Sequence, residues 1–230
     1  MHTHALMSPF TPIWWKSILT VIGIIVLVCS LPYFWKSLSH KRFAQIIGVL
    51  LLLNIIIENV YSWYLGTWTL DNNLPLQLCS ISGILSGLML LNYQYKWAEL
   101  LYYWGLTGGI HSLLTPEFTH GMEGYFFYGY FIGHGGLLLA IFYMIFHFKF
   151  RPTPGSWWRA FLFTQMLALG IGCINFVFNS NYMYLCQPPI AENPLIMGAW
   201  PWYLLVFEAL AIVHFGLFYL PFKLRAKRNT

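Results

Sequence analysis

Two side chains in this chain could together break and remake an ester: the thiol of Cys79 and the imidazole of His134. Cys79 follows the run Asp71-Asn72-Asn73-Leu74-Pro75-Leu76-Gln77-Leu78. Asn72 or Asn73 is a suitable N-cap and Pro75 suits a first turn, so a helix should begin here and carry the sulfur near its positive end. That environment, with an imidazole nearby, favours thiolate over thiol. Ser82, Gly83 and Ser86 follow at three, four and seven residues on the same face, a strip of small side chains beside which an acyl chain could lie. His134 stands in Gly133-His134-Gly135-Gly136, where the glycines permit close backbone approach or a bend beside a ligand. An imidazole so placed suits a general base acting on a thiol or an alcohol. Packing alone accounts for the same residues: a buried cysteine is a small hydrophobe, and a buried histidine needs only a hydrogen-bond partner.

Further polar groups could line the same site. Gln77 stands two residues before the cysteine, and His111 lies in Gly108-Gly109-Ile110-His111-Ser112-Leu113-Leu114-Thr115-Pro116-Glu117, at a helix end that Pro116 forbids to continue. Asn54, Glu58 and Tyr61 recur at four and three residues and so share a face; Asn175 and Asn179 share another. Glu208 completes the set. Ionisable groups in a bilayer cost about 2.5–3.5 kcal/mol each even on the lenient insertion scale, so Glu58, His134 and Glu208 should face a bundle interior or a wet cavity. Interhelical hydrogen bonding is the competing role, above all for a lone Asn or Gln. No His/Glu pair three or four residues apart falls within one predicted helix, so no metal site is expected, and no cofactor fingerprint is present.

The elements that must hold these residues follow from composition. Of 230 residues, 58% are hydrophobic and only 8% charged, against roughly a quarter charged in soluble domains. A water-soluble globule is excluded. Seven apolar stretches of about 20 residues fit a bilayer core of about 30 Å: approximately 15–35, 43–65, 74–92, 97–114, 125–148, 160–180 and 200–222. The reading is an all-α polytopic membrane protein, a seven-helix bundle forming one domain over 1–230. The first apolar run lacks a basic leader and a small-residue cleavage site, so it is expected to be retained as a helix.

The net charge of +5 is a topology signal. Lys36, Lys41, Arg42, Lys96, Lys149, Arg151, Arg159, Lys223, Arg225, Lys227 and Arg228 all fall on one side of the predicted bundle, leaving Lys16 at the amino-terminal border. Asp71, Glu117, Glu123 and Glu192 fall on the other. The positive-inside rule then sets the N-terminus outside and the C-terminus in the cytoplasm, and nucleic-acid binding loses its support. Trp14, Trp15, Trp97, Trp157, Trp158, Trp200 and Trp202 stand at predicted boundaries, where indoles anchor to headgroups. With this orientation Cys79 lies about 8 Å below the outer surface, His134 roughly 14 Å and Glu208 about 12 Å, at 1.5 Å per residue. Cys186 is on the same outer side, so a disulfide with Cys79 is conceivable; it would abolish the nucleophile, but the depth of Cys79 argues against it.

The chain resembles a bacterial family of integral membrane proteins typified by YwaF. The resemblance rests on Leu74-Pro75-Leu76-Gln77-Leu78-Cys79-Ser80, His111 to Glu117, Gly133-His134-Gly135, Asn181-Tyr182-Met183-Tyr184-Leu185 and Trp200-Pro201-Trp202-Tyr203. It departs from that family's pattern at Gln77, where the family carries His, and at His111, where it carries Gln. The family in turn resembles, distantly, eukaryotic transmembrane protein 164, a lipid acyltransferase using one Cys and one His. This resemblance implies Cys79 as nucleophile, His134 as its partner and membrane lipids as substrates. The expected activity is transfer of a fatty acyl group between phospholipids through a thioester, in the cytoplasmic (plasma) membrane, with no cofactor, nucleic acid or soluble partner. A lipid ester hydrolase using the same site, and a non-enzymatic transporter or receptor with an outward-facing pocket, are the alternatives.

Overall fold

The computed structural model describes residues 4–35, 37–190 and 198–228, without the side chains of 225–228. Lys36 and Glu192, and the side chains of Arg225, Lys227 and Arg228 on which the charge pattern also rests, lie outside the described residues. Seven α-helices dominate: α1 Pro12–Phe34, α2 His40–Tyr64, α3 Leu78–Leu91, α4 Tyr95–Leu114, α5 Tyr125–His147, α6 Ser156–Phe178 and α7 Trp202–Arg228. Helices α1, α2 and α6 start about a turn earlier than hydropathy suggests, the first two because a side chain caps them. Thr11 accepts from the Trp14 N–H ahead of Pro12, and Ser39 accepts from the Arg42 N–H.

Helices α1, α2, α5, α6 and α7 are long and apolar enough to cross a membrane, which makes this an all-helical multi-pass membrane protein. The other two expected spans fall short of that measure for different reasons. Helix α3 has 14 residues, about 21 Å at 1.5 Å each. Helix α4 has 20 residues, but every residue from Ala98 to Leu106 is buried against protein, so it is not obliged to be apolar towards lipid.

Two compact units are present: Met1–Trp68 with Leu78–Phe150, and Thr69–Gln77 with Arg151–Thr230. In the first, α5 packs against α1, α2, α3 and α4. Near the amino terminus, strand β1 (Ala5–Leu6) pairs antiparallel with β2 (Glu117–Phe118), and His4 Nε2 lies 2.8 Å from a Glu117 carboxylate oxygen. At the opposite end of α5, His147 hydrogen-bonds the Cys29 carbonyl at 2.8 Å and stacks on His40. The small residues of α3 do not form an open groove for an acyl chain. Ser82 and Ser86 are fully buried, Gly83 faces Ile55, and Gly87 packs on Leu52 and on the Gly48 carbonyl of α2. Small side chains let two helices approach, and α2 fills the space.

A helix leaves its last four carbonyls without intrahelical partners, and Pro116 has no N–H to offer Ser112. Thr115 N–H serves His111, the Tyr130 hydroxyl serves Ser112 at 2.8 Å, and the Trp14 indole N–H serves Leu113 and Leu114 at 3.1 and 3.2 Å. Trp14, expected at a headgroup boundary, is therefore buried and structural.

In the second unit, α6 ends on Asn179 in the left-handed conformation, and a short 3₁₀ turn follows at Tyr182–Tyr184. Asn175 pins that turn. Its Nδ2 donates to the Tyr182 carbonyl, and its Oδ1 accepts from the Ser180 hydroxyl and the Tyr182 N–H. The Tyr182 hydroxyl donates to the Leu70 carbonyl and accepts from the Leu74 N–H. This tether corrects the expected start of α3. With Leu74 held by Tyr182, and Asn72 and Asn73 turned back onto Thr69, the segment from 69 to 77 is a series of turns and the helix begins at Leu78.

Candidate functional site

Because α3 starts late, Cys79 is its second residue rather than a turn and a half inside. The sulfur faces α4. It lies 3.9 Å from the Ser112 hydroxyl, and a Cβ placed on Gly108 would be 2.8 Å from it. Gly108 and Ser112 are four apart and share a face of α4, so glycine at 108 is the condition for the thiol to reach Ser112. The next residue turns towards α5: a Cβ on Gly109 would meet the Leu138 side chain at 3.0 Å and the His134 carbonyl oxygen at 3.4 Å. Consecutive glycines of α4 therefore hold the helix of the thiol and the helix of the imidazole at the same level.

His134 is half-buried and oriented by its own helix. Its Nδ1 lies 2.9 Å from the Tyr130 carbonyl, four residues earlier, and its ring packs 4.2 Å from that of Tyr130. A carbonyl only accepts, so Nδ1 carries the proton and Nε2 of the neutral ring keeps a lone pair. That is the tautomer a general base needs. Among the described residues Cys79 and His134 do not hydrogen-bond to one another: the thiol meets Ser112 and the imidazole meets Tyr130.

A second polar group lies in the same unit. Asn54, 3% exposed, donates to the Gly129 carbonyl and accepts from the Tyr125 hydroxyl at 2.8 Å. The Glu58 carboxyl lies over Gly129, and Tyr61 packs against Gly124, so the face predicted on α2 is turned to the start of α5. The Asn54 amide comes within 3.7 Å of a Cβ on Gly133, the residue before His134.

His111 stands half-buried in the last turn of α4, where its backbone carbonyl accepts from both the N–H and the hydroxyl of Thr115. The remaining candidates lie elsewhere. Gln77, Asn175, Asn179 and Glu208 belong to the second unit. There the Gln77 amide accepts from Met183 N–H and donates to the Asn181 carbonyl, Asn175 pins Tyr182, Asn179 terminates α6, and Glu208 accepts from Gln165 at 2.6 Å. Burial raises the Tyr182 phenol above its ordinary range; the Leu74 N–H pulls it down and the Asp71 carboxylate pushes it up. All four cysteines are free thiols. Among the described residues no three His, Cys, Asp or Glu side chains converge to hold a metal.

Sequence reasoning did not single out Ser112, Tyr130 or Tyr125. Tyr130 carried a readable signal, standing four residues before His134 and so on its face. Ser112 carried one only in company with Cys79, since nothing local aligns a residue of α4 with a particular residue of α3.

The fold and these groups define a multi-pass helical membrane protein with a thiol and an imidazole on neighbouring helices. Residues 6–219 match the TMEM164 family, and the chain belongs to it. No curated protein and no solved structure shows a significant match to the chain.

Proposed function

We propose that the protein is a membrane acyltransferase that moves a fatty acyl group between phospholipids, with Cys79 as nucleophile and His134 as general base. Membership of the TMEM164 family is consistent with such an activity, and the nearer resemblance to the YwaF-type bacterial proteins is part of the same reading. The observation that carries it is the shared level of the Cys79 sulfur, against Gly108 and Ser112, and of His134, beside Gly109, with the imidazole fixed in its basic tautomer. The topology proposed with it is seven membrane segments, N-terminus outside, in the cytoplasmic membrane.

In the first half-reaction His134 Nε2 takes the thiol proton and the sulfur attacks the ester carbonyl of the donor lipid. The carbon–oxygen bond breaks, the lysolipid oxygen leaves with the proton from His134, and the acyl group stays on Cys79 as a thioester. In the second half His134 takes the proton of an acceptor hydroxyl, whose oxygen displaces the sulfur; the thiolate then recovers the proton. Water in place of the acceptor hydroxyl makes the same cycle a hydrolysis. The thiol meets Ser112 and the imidazole meets Tyr130, and contacts between a nucleophile and its base commonly tighten around bound substrate. In this reading Glu58, with Asn54, holds the polar headgroup of the acceptor.

The test is transfer from a phospholipid with a labelled acyl chain to a lysophospholipid, using the full chain in lipid nanodiscs. Wild type should carry a hydroxylamine-labile label and form labelled product; Cys79→Ala should lose both, and His134→Ala should be slowed at least about a hundredfold. Labelling and transfer by Cys79→Ala equal to wild type would remove the proposal.

A further inference from the structure

Resting on that reading of the Cys79 and His134 pair, we infer that Tyr130 is a positioning residue that holds the thiol's partner and the imidazole in one rigid arrangement. Three parts of the residue act at once. Its hydroxyl donates to the Ser112 carbonyl at 2.8 Å and accepts from the Glu117 N–H at 3.3 Å. Its ring packs on His134 on one side and on Phe118, at 4.4 Å between centroids, on the other. Its carbonyl fixes the His134 tautomer.

The hydroxyl contact is the specific one. Ser112 is the residue whose carbonyl Pro116 leaves orphaned at the end of α4, and no backbone N–H stands in helical register to it. The Tyr130 hydroxyl fills that vacancy, and so sets where the last turn of α4 puts the Ser112 side chain. That side chain lies 3.9 Å from the sulfur. A change at Tyr130 on α5 therefore reaches Cys79 on α3 through a single residue of α4, without touching it.

The experiment reads the Cys79 thiol directly. Full-length protein in nanodiscs is alkylated with iodoacetamide across a pH series, and Cys79 is followed by peptide mass spectrometry, apart from the other three thiols. Tyr130→Phe keeps the ring on His134 and removes only the hydroxyl. It should slow Cys79 alkylation near neutral pH about tenfold, equivalent to about 1.4 kcal/mol, and move the pH profile upward with little change in melting temperature. Ser112→Ala should do the same and Ser112→Thr should restore the wild-type rate. Because Tyr130 acts through Ser112, the Tyr130→Phe/Ser112→Ala double variant should be no slower than Ser112→Ala alone. An unchanged rate and profile in Tyr130→Phe, or losses that multiply in the double variant, would overturn the inference. Should Tyr130→Phe not fold, wild-type alkylation of Ser112→Ala overturns it equally. The readout needs no acyl transfer. A wild type that transfers nothing while showing this coupling removes the acyltransferase reading and leaves the role of Tyr130 standing.

Discussion

The Cys79 sulfur occupies space that a methyl group on Gly108 would need: the ideal Cβ at that glycine falls 2.8 Å from it. Alanine is the better helix residue by about 1 kcal/mol, so Gly108→Ala leaves α4 at least as helical while it pushes the sulfur off Ser112. Acyl transfer should fall about tenfold or more with the melting temperature of the protein held or raised. The control is Gly23→Ala in α1, whose Cβ would meet nothing within 4 Å, so that variant should retain most activity. Equal activity of Gly108→Ala and wild type in the nanodisc assay would show that the sulfur has no fixed place.

Asn175 is 2% exposed and holds the turn after α6 by three hydrogen bonds. Asn175→Ala strands the Tyr182 N–H and carbonyl, at about 1–3 kcal/mol for each buried group left unpaired. Asn175→Asp keeps the acceptor but sets a carboxylate oxygen against the Tyr182 carbonyl in a buried place, so it should be damaged too. Limited proteolysis between Ser180 and Gln187 should rise in both variants; cleavage of Asn175→Ala at the wild-type rate would contradict the assigned hydrogen bonds.

Tyr182 gives the second unit a dependence on alkaline pH. Burial raises its folded pKa above the ordinary phenol value of about 10. Between the unfolded and folded values the native state retains a proton that the unfolded chain releases, so stability is full below about pH 10 and falls as pH rises through the folded value. Proteolysis of the 180–187 turn should therefore accelerate above about pH 10 in wild type. Tyr182→Phe, which loses the bonds to Leu70 and Leu74, should be cut faster at neutral pH and show a shallower alkaline rise.

What the sequence disclosed depended on whether a pattern is local. Helices α1, α2, α5, α6 and α7 were legible because a lipid-facing helix must be apolar whatever it packs against. Helix α4 was found as well, although its buried middle answers to neighbours rather than lipid. The start of α3 was placed four residues early, because the Asn and Pro signals of 72 to 75 are real turn signals whose amides are taken by Thr69 and Tyr182, the latter 108 residues from Leu74. The strip from Ser82 to Ser86 read as a groove for an acyl chain, and α2 fills that space: Gly83 faces Ile55, and Gly87 beyond it packs on Leu52 and the Gly48 carbonyl. Cys79 and His134 stood out by residue type; Ser112 and Tyr130, which orient them, are ordinary polar residues whose roles come from a proline four positions beyond Ser112.

The indole of Trp14 ends on carbonyls 99 and 100 residues further along the chain. At roughly 5–20 residues per second, a ribosome needs on the order of 5–20 s to make that stretch. Helix α1 must therefore wait in the bilayer, its indole donor served by headgroups or water, until the acceptor at the far end of α4 has been synthesised. The contact that seats α1 is set by translation as well as by packing.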